Sequence, residues 1–434
     1  MGDGNRPVIT PEPPIAEEVG LPWDVACADP VAALADARAR YGDTFIVDSG
    51  DDRYLFTFSP VGVQSFYALD EADASKSVAD WRMLRRKVPD ELFDGRRTLP
   101  HALFSRDDVT AYLSNVERAL ETAIDELGEQ GAVDVFEFTR RLGHRIGLAS
   151  WGGPGAATGA RFDSLAETLD VLDGADAFVH PDAMAAVAAS GQAAERAALA
   201  TATELIAVGI DDDRGEGDLF GRIVDAWSDA HRDDRRTGIA RDVVLVHIAS
   251  MSNLFAALGW AIVDLVEHPD ELAAVAAGDE VLAEQCALES TRLAQRSIMS
   301  RYVLRTVDLD VGDATLRVSA GATIVTLLPL TNLTSAPGLD GWEPARWHRR
   351  RLADVSSLAA VELVTAFGHG RHSCPAQSFS LAAMRSALLR LAATFVLEPT
   401  WSQHPSPVSA QIGGVARAGG RCTLAYRLRS PSPT

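Results

Sequence analysis

The feature that most constrains the fold is a helical pattern between about residues 107 and 297, with strand patterns on both sides of it. The segment 107–131, DDVTAYLSNVERALETAIDELGEQG, repeats apolar residues at three- and four-residue steps and ends at glycine. Before this region, DTFIVDS (43–49) and DRYLFTFS (52–59) flank a Gly-Asp turn and predict a β-hairpin. After it, 306–327 predicts a strand, a turn and a second strand. We therefore expect a mainly α fold with small β-sheets, in the α+β class.

Further helices are predicted along the middle of the chain by the same spacing of apolar residues. They are expected at 134–150, 162–173, 180–210, 218–229, 239–268, 269–276 and 279–296. The length of 434 residues could hold two or three average domains. However, no internal repeat and no break in composition marks a boundary. We expect one domain over 21–428, an N-terminal extension at 1–20 and a C-terminal tail at 429–434.

Composition and charge exclude several classes of protein. The formal net charge of −21 argues against nucleic acid as a partner. The sequence begins without the basic and then apolar pattern of a signal peptide, and no run of 18 consecutive apolar residues predicts a membrane span. The four cysteines are scattered, without a CxxC pair or a disulfide-framework spacing. We expect a soluble, cytoplasmic protein.

One of these cysteines, Cys374, lies between a glycine-rich segment and an apolar, helix-like run. Pro375 suits the first position of a helix, because its missing N–H would be unpaired there. A thiol at the start of a helix meets free N–H groups and the positive end of the helix dipole, which favour the thiolate. Gly368 and Gly370 allow a tight turn or a close approach to a flat group. A lone buried cysteine is usually structural, so the surrounding pattern must decide.

That pattern, FGHGRHSCPA (367–376), resembles the haem-binding loop of the cytochrome P450 family. The resemblance extends along nearly the whole chain and implies a single-domain cytochrome P450 fold. It implies haem b as the cofactor, with the Cys374 thiolate as the iron ligand. By the same resemblance, the residues expected to contact the haem are Phe367 and Gly368 in the loop and the propionate-binding pair His372 and Arg301.

A second part of the resemblance is the segment ESTR (289–292), which matches the family's ExxR motif on a buried helix. Glu289 and Arg292 are one turn apart and can form an ion pair. GWEPARW (341–347) resembles the segment whose arginine, here Arg346, completes the network. An E-x-x-R spacing alone is more often a pair on a helix surface. Its distance from Cys374 favours a buried structural triad.

The distal helix departs from the family pattern. Members commonly carry an acid followed by threonine there, and this pair relays protons to iron-bound oxygen. In 241–272, Ser252 stands at the acid's position and Asn253 at the threonine's, so the resemblance implies these two as the catalytic residues. An amide is no proton acid near neutrality, although it donates and accepts hydrogen bonds. Asparagine here resembles the branch of prostacyclin synthase and cholesterol 7α-hydroxylase, which includes both peroxide rearrangement and oxygenation. A mid-helix asparagine bonded to backbone is the structural alternative.

The family's W-x-x-x-R pair at the haem edge has no clear counterpart. Trp81 and Arg85 have the spacing but come early in the chain, and His101 with Arg106 is the other candidate pair. The substrate pocket is expected from 75–104, 163–200, the helix around Asn253, 295–301 and 409–420.

The resemblance implies a monooxygenase of secondary metabolism that hydroxylates, epoxidises or desaturates a small, largely apolar metabolite. The chain carries no flavin or iron–sulfur motif, so electrons are expected from ferredoxin and ferredoxin reductase. RWHRRRL (346–352) supplies arginines that could dock an acidic ferredoxin, or could be a solvated turn. The alternatives are an isomerase or dehydratase that rearranges a peroxide without a reductase and, third, a non-enzymatic haem sensor.

Overall fold

The computed structural model describes residues 12–98, 104, 109–174, 179, 181–210 and 219–430. Helices dominate this part of the chain, as the sequence predicts. They are α1 (Pro30–Tyr41), α2 (Pro60–Ala68), α3 (Lys76–Leu84), α4 (Val109–Leu127), α5 (Val135–Trp151), α6 (Gly159–Asp173), α7 (Pro181–Ala189), α8 (Ala193–Gly209), α9 (Leu219–Ala226), α10 (Arg232–Val266), α11 (Pro269–Ala276), α12 (Glu280–Leu293), α13 (Leu328–Thr334) and α14 (Gln377–Thr394).

The strands form small sheets at the margins of this helical body. They are β1 (Thr44–Ser49), β2 (Asp52–Thr57), β3 (Ala74–Ser75), β4 (Gln130–Asp134), β5 (Ile298–Val303), β6 (Val307–Asp310), β7 (Thr315–Val318), β8 (Thr323–Leu327), β9 (Trp347–His348), β10 (Arg351–Leu352), β11 (Phe395–Pro399) and β12 (Thr423–Leu428). The largest sheet has the order β1-β2-β8-β5-β3, and a second has the order β11-β12-β4. The predicted hairpin β1–β2 is confirmed, with Thr44 opposite Thr57.

Helix α10 runs through the centre of the core and packs against α5, α8 and α12. It is apolar on nearly all sides, and Gly238 to Val266 is buried with few interruptions. By length and composition alone α10 could cross a membrane, but 78% of its most apolar window is buried inside the fold. The core helix of a globular protein meets the same criteria, so α10 is weak evidence for a membrane span.

Several details differ from the sequence predictions. Helix α10 begins at Arg232, not near 239. The negative charges of Asp233 and Asp234 in its first turn interact favourably with the positive end of the helix dipole and stabilise this earlier start. The single helix predicted at 180–210 is two helices, α7 and α8. They are separated where Gly191 and Gln192 adopt positive φ angles of 61° and 58°. The segment 306–327 contains three strands, not two.

The N-terminal residues lie against the main sheet. Ile15, inside the predicted extension 1–20, bridges to Ile46 of β1, and Ala16 is buried in the same core cluster as Phe45. This contact joins part of the extension to the body of the fold. The limits predicted for the domain remain predictions.

Candidate cofactor-binding site

The cysteine loop, residues 366–376, folds back on itself ahead of helix α14. The backbone N–H of Cys374 donates to the carbonyl oxygen of Phe367 at 2.8 Å, and that of His372 donates to His369 at 2.8 Å. Gly368 has a φ of +80°, and a Cβ atom there would lie 2.3 Å from the carbonyl oxygen of His372. The turn therefore requires glycine at this position. Both Phe367 and Gly368 serve to fold the backbone around the cysteine.

The start of helix α14 differs from the sequence prediction. Ala376 is its N-cap and Gln377 its first residue, so Pro375 lies in the preceding turn and not at the first helical position. The Gln377 N–H donates to the Cys374 carbonyl at 3.2 Å, three residues back, as in a turn. The first bond of helical spacing runs from Ser380 to Ala376. This extra turn separates Cys374 from the regular helix.

Burial governs the thiol of Cys374. It raises the pKa of this thiol above its usual value, while the backbone N–H of Ala376 and the charge of Lys76 lower it. Burial outweighs the helix-end effect from which the sequence predicted a thiolate. The neutral thiol is therefore the stable form of the protein alone, whereas a coordinated metal ion deprotonates a thiol outright.

Arg301 and His372 form a buried pair beside the cysteine loop. The Arg301 Nε–H donates to His372 Nε2 at 2.9 Å, and its Nη1 donates to the carbonyl oxygens of Leu69 and Ala74 at 2.8 and 2.9 Å. Because His372 Nε2 accepts this hydrogen bond, the proton of the neutral imidazole lies on Nδ1. Burial, and then the charge of Arg301, lower the pKa of His372 to about 3. The imidazole is therefore neutral.

Two donors of this pair have no hydrogen-bond partner among the described residues. They are Arg301 Nη2 and His372 Nδ1, and both atoms are buried. A buried donor without a partner costs roughly 1–3 kcal/mol. A carboxylate would accept from both donors and would offset the Arg301 charge. The carboxylates of haem propionates have this chemistry, so the residues present fit the anionic edge of haem.

Glu289 is the centre of a second buried group, in which the structure brings together the three residues of the predicted network. Arg292 Nε and Nη2 donate to the two Glu289 oxygens at 2.9 and 2.8 Å. Arg346 Nε donates to Oε1 at 3.2 Å. Sequence reasoning missed a third contact, from Trp347 Nε1 to Oε2 at 2.8 Å. Glu289 and Arg292 are both fully buried.

Asn332 on helix α13 connects this network to the cysteine loop. Its Nδ2 donates to the carbonyl oxygens of Arg292 at 3.1 Å and Thr365 at 2.9 Å, and its Oδ1 accepts from the Thr365 N–H at 2.8 Å. Gln295 also reaches the loop, donating from Nε2 to the Ala366 carbonyl at 2.7 Å. No spacing in the sequence marks Asn332 or Gln295, because their partners lie far along the chain. Through them the triad holds the base of the cysteine loop.

Ser252 and Asn253 lie on helix α10, both partly buried. The Oδ1 of Asn253 accepts a hydrogen bond from the backbone N–H of Val415 at 2.9 Å. The structure therefore brings Asn253 to the 411–418 segment. Among the described residues, no hydrogen bond joins Ser252 or Asn253 to the cysteine loop.

The candidate pairs for the haem edge are only partly placed. His101 and Arg106 lie outside the described residues. Trp81 and Arg85 form a cation–π contact of 4.4 Å, but Arg85 is exposed and binds Asp90 at 2.7 Å. The W-x-x-x-R spacing at 81–85 is thus a surface pair.

The arginines of 346–352 divide into two groups. Arg346 belongs to the Glu289 network, and Arg350 binds both oxygens of Glu284 at 2.8 and 3.0 Å. Arg349 and Arg351 are exposed. Within this segment, these two arginines remain on the surface as a local positive patch.

The sequence and the fold are similar to those of known proteins. No protein-family model matches the sequence. A match to human 24-hydroxycholesterol 7-alpha-hydroxylase is 23% identical over 208 residues and covers 42% of each chain, so the chain spans less than half of this relative's length. It gives the predicted branch weak support.

Solved structures match over nearly the whole chain. CYP175A1 from Thermus thermophillus superposes with a TM-score of 0.69 at 20% identity, covering 92% of this chain and 95% of that one. The haem domain of a cytochrome P450DA mutant superposes with a TM-score of 0.73 at 18% identity, covering 97% and 98%. The chain therefore has the cytochrome P450 fold, and the fold class and family resemblance predicted from its sequence are confirmed.

Proposed function

We propose that the protein is a haem-thiolate monooxygenase that hydroxylates, epoxidises or desaturates a small, largely apolar metabolite. One observation carries the proposal: in a cytochrome P450 fold, Cys374 lies in a glycine-dependent loop beside two buried donors without partners among the described residues. These are the groups that a thiolate-ligated, carboxylate-bearing cofactor needs. The partial match to a human hydroxylase supports the same class of reaction.

Different residues of the chain would bind the cofactor and support the loop around it. Haem, when bound, would supply the binding and reductive activation of O₂, which a cysteine thiolate ligand promotes. Cys374 would provide that thiolate, and Arg301 Nη2 with His372 Nδ1 would hold a carboxylate. The Glu289 network, through Asn332, keeps the base of the loop in place.

A separate electron donor is part of the proposal, with ferredoxin and its reductase as the partners. What supports an acidic ferredoxin is the exposed pair Arg349 and Arg351 close to the cysteine loop in sequence. The net charge of −21 repels an acidic partner from most of the surface. A local positive patch would then select the docking site more than it would raise the affinity.

The test is the spectrum of the reduced, CO-bound protein, which reports the axial ligand of haem. The wild-type protein should absorb at the wavelength typical of thiolate-ligated haem, and Cys374→Ala should lose that band. Cys27→Ala and Cys422→Ala are matched controls that keep it, because their thiols lie in other parts of the fold. An unchanged spectrum in Cys374→Ala rejects the proposal.

The second candidate is a haem-thiolate isomerase or dehydratase that rearranges a peroxide. The absence of an acid–alcohol pair at Ser252 and Asn253 favours it, because that chemistry needs no proton relay to O₂. Turnover of a hydroperoxide by the purified protein, without oxygen and without reductant, would establish this function. Product that requires both O₂ and reductant establishes the monooxygenase.

A further inference from the structure

Asn253 lies where helix α10 passes the loop formed by residues 411–418, called here loop 411–418. Its Oδ1 accepts from the Val415 N–H at 2.9 Å. Trp260, about two turns further along the same helix, donates from Nε1 to the Ala416 carbonyl at 2.7 Å. Residues seven apart share one face of a helix. Two bonds from one face of α10 therefore hold two consecutive residues of the loop.

The space around Gly414 is matched to the amide of Asn253. Gly414 has a φ of +65°, and a Cβ atom there would lie 2.6 Å from Asn253 Oδ1. Its neighbour Gly413 also has a positive φ, +107°, but a Cβ atom there would meet nothing within 4 Å. The amide oxygen thus occupies the volume that a side chain at Gly414 would need. At Gly413, the positive φ angle is the only feature that favours glycine.

Other groups brace loop 411–418 from its remaining sides. Within the loop, Gln411 donates from Nε2 to the Gly413 carbonyl at 2.9 Å and accepts at Oε1 from the Arg417 N–H at 2.8 Å. From the segment before β5, Arg296 donates its N–H to the Gly414 carbonyl at 2.8 Å and accepts from the Gly413 N–H at 2.7 Å. None of these bonds uses the Val415 N–H. The acceptor for the Val415 N–H is Asn253 Oδ1, and the side chain of Val415 is buried.

The direction of this bond fixes the chemistry of Asn253. Oδ1 accepts from the backbone N–H of Val415, and Nδ2 can only donate hydrogen bonds. Threonine would carry its hydroxyl one bond closer to the backbone than Oδ1 and would not reach Val415 in the same way. Asparagine is therefore suited to spanning the gap between helix and loop.

We propose that Asn253 is a positioning residue, whose amide oxygen fixes loop 411–418 against helix α10 and so sets the shape of one wall of the substrate pocket that the sequence predicts at 409–420. Positioning is a different role from the catalytic one that the sequence predicts for Ser252 and Asn253. The statement about the pocket rests on the proposed function. The tie between Asn253 and the loop does not, because it concerns the fold alone.

A double-mutant cycle on the two glycines tests the tie by chemical denaturation, without cofactor chemistry. Gly414→Ala should lower the ratio of folded to unfolded protein more in the wild-type background than in the Asn253→Ala background, by about 5- to 30-fold. Gly413→Ala is the matched control, and its effect should be the same in both backgrounds. If Gly414→Ala has equal effects in the two backgrounds, the tie is absent and the proposal fails.

Substitutions at Asn253 then separate positioning from proton delivery. Asn253→Asp keeps an acceptor of the same reach, whereas Asn253→Thr keeps only an alcohol. The readout is the ratio of dissociation constants of 4-phenylimidazole and imidazole for the ferric haem-bound protein, since only the larger probe senses a displaced wall. We expect Asn253→Asp to keep the wild-type ratio and Asn253→Thr to change it by about fivefold or more.

The opposite order, with the wild-type ratio in Asn253→Thr and a changed ratio in Asn253→Asp, overturns the positioning role. Failure of the wild-type protein to bind haem would reject the proposed function instead. The glycine cycle would then still decide whether Asn253 ties helix to loop. The two failures are therefore distinguishable.

Discussion

Glu289 accepts hydrogen bonds from the side chains of Arg292, Arg346 and Trp347 and from the backbone N–H of Glu343. A carboxylate without water contact needs such a set, because burying an unpaired charge costs several kcal/mol. The two arginines were predictable, since ExxR and PxRW are recognisable in the sequence. Trp347 belongs to the same PxRW segment, but its bond to Glu289 was not predicted, and neither was the role of Asn332, because hydrogen bonds across 58 and 33 positions leave no periodic pattern in the sequence.

For single residues, we predict the effect of removing one hydrogen-bond partner of Glu289. Arg292→Ala leaves the fully buried Glu289 without its bidentate partner and should lower the free energy of unfolding by about 3–5 kcal/mol. Arg350→Ala is the control, because it breaks a similar two-oxygen pair with Glu284 on the surface and should cost about 0–1 kcal/mol. Urea denaturation measures both. Equal losses would contradict a buried structural role.

The elements were predictable where their signals are local. Helices with apolar residues on a regular face, such as α4 and α5, appear where the periodicity places them. The break between α7 and α8 was missed because an alanine-rich run gives no warning that Gln192 turns left-handed after Gly191. Likewise, the turn that delays α14 depends on a bond between Cys374 and Gln377, which is visible only in the folded loop.

For the cysteine loop we predict unequal effects at its two glycines. Both have positive φ, +80° at Gly368 and +52° at Gly370, but only Gly368 also lacks room for a Cβ atom. Gly370→Ala should cost about 1–2 kcal/mol from backbone conformation alone. Gly368→Ala should cost more, because the His372 carbonyl must move, and with it the loop that carries Cys374.

Denaturation curves and haem content of the two variants check this prediction. A larger loss of both quantities in Gly368→Ala is expected. Equal behaviour of the two variants would show that the contact with His372 does not constrain the loop.

For the whole molecule, the order of elements predicted the fold class, and the family resemblance supplied the rest of the topology. The pairing of strands could not be derived from periodicity. Strand β2 lies parallel to β8, with Tyr54 opposite Thr323, and β4 pairs with β12, with Asp134 opposite Thr423. Such partners are selected by the packing of the complete core, not by neighbours in sequence.

A buried carboxylate in α10 contributes to the pH dependence of the stability of the whole molecule. Burial raises the pKa of Asp264 to about 6, against the opposing effects of a Ser290 hydrogen bond and of His404 and His268, and with a contribution from Glu267. Between its ordinary value of 3.8 and about 6, the folded protein keeps a proton that the unfolded chain releases. The stability that this proton contributes is present below that window and is lost as the pH rises through it.

We therefore predict that Asp264 makes the free energy of unfolding fall between about pH 4 and 6 with a slope of at most about 1.4 kcal/mol per pH unit, whereas the neutral His372, whose pKa is about 3, contributes a slope of the opposite sign. Asp264→Asn should remove the contribution of Asp264, so that the slope in this range becomes more positive than in the wild-type profile. Asp340→Asn, which removes an exposed carboxylate, should leave it unchanged. Denaturation at several pH values measures the slopes, and parallel profiles for wild type and Asp264→Asn would contradict the prediction.

The pairing of β2 with β8 also affects how the chain folds while it is being synthesised. Ribosomes add about 5–20 residues per second, so the roughly 270 residues between these strands take about 15–55 s to synthesise. Throughout that interval the nascent hairpin β1–β2 has no neighbour on its β2 side, and an unpaired strand edge can join another chain. Strand β8, about three quarters of the way along the chain, thus covers the edge of the N-terminal hairpin, and a pause in translation between residues 57 and 323 lengthens the period during which newly made chains can aggregate.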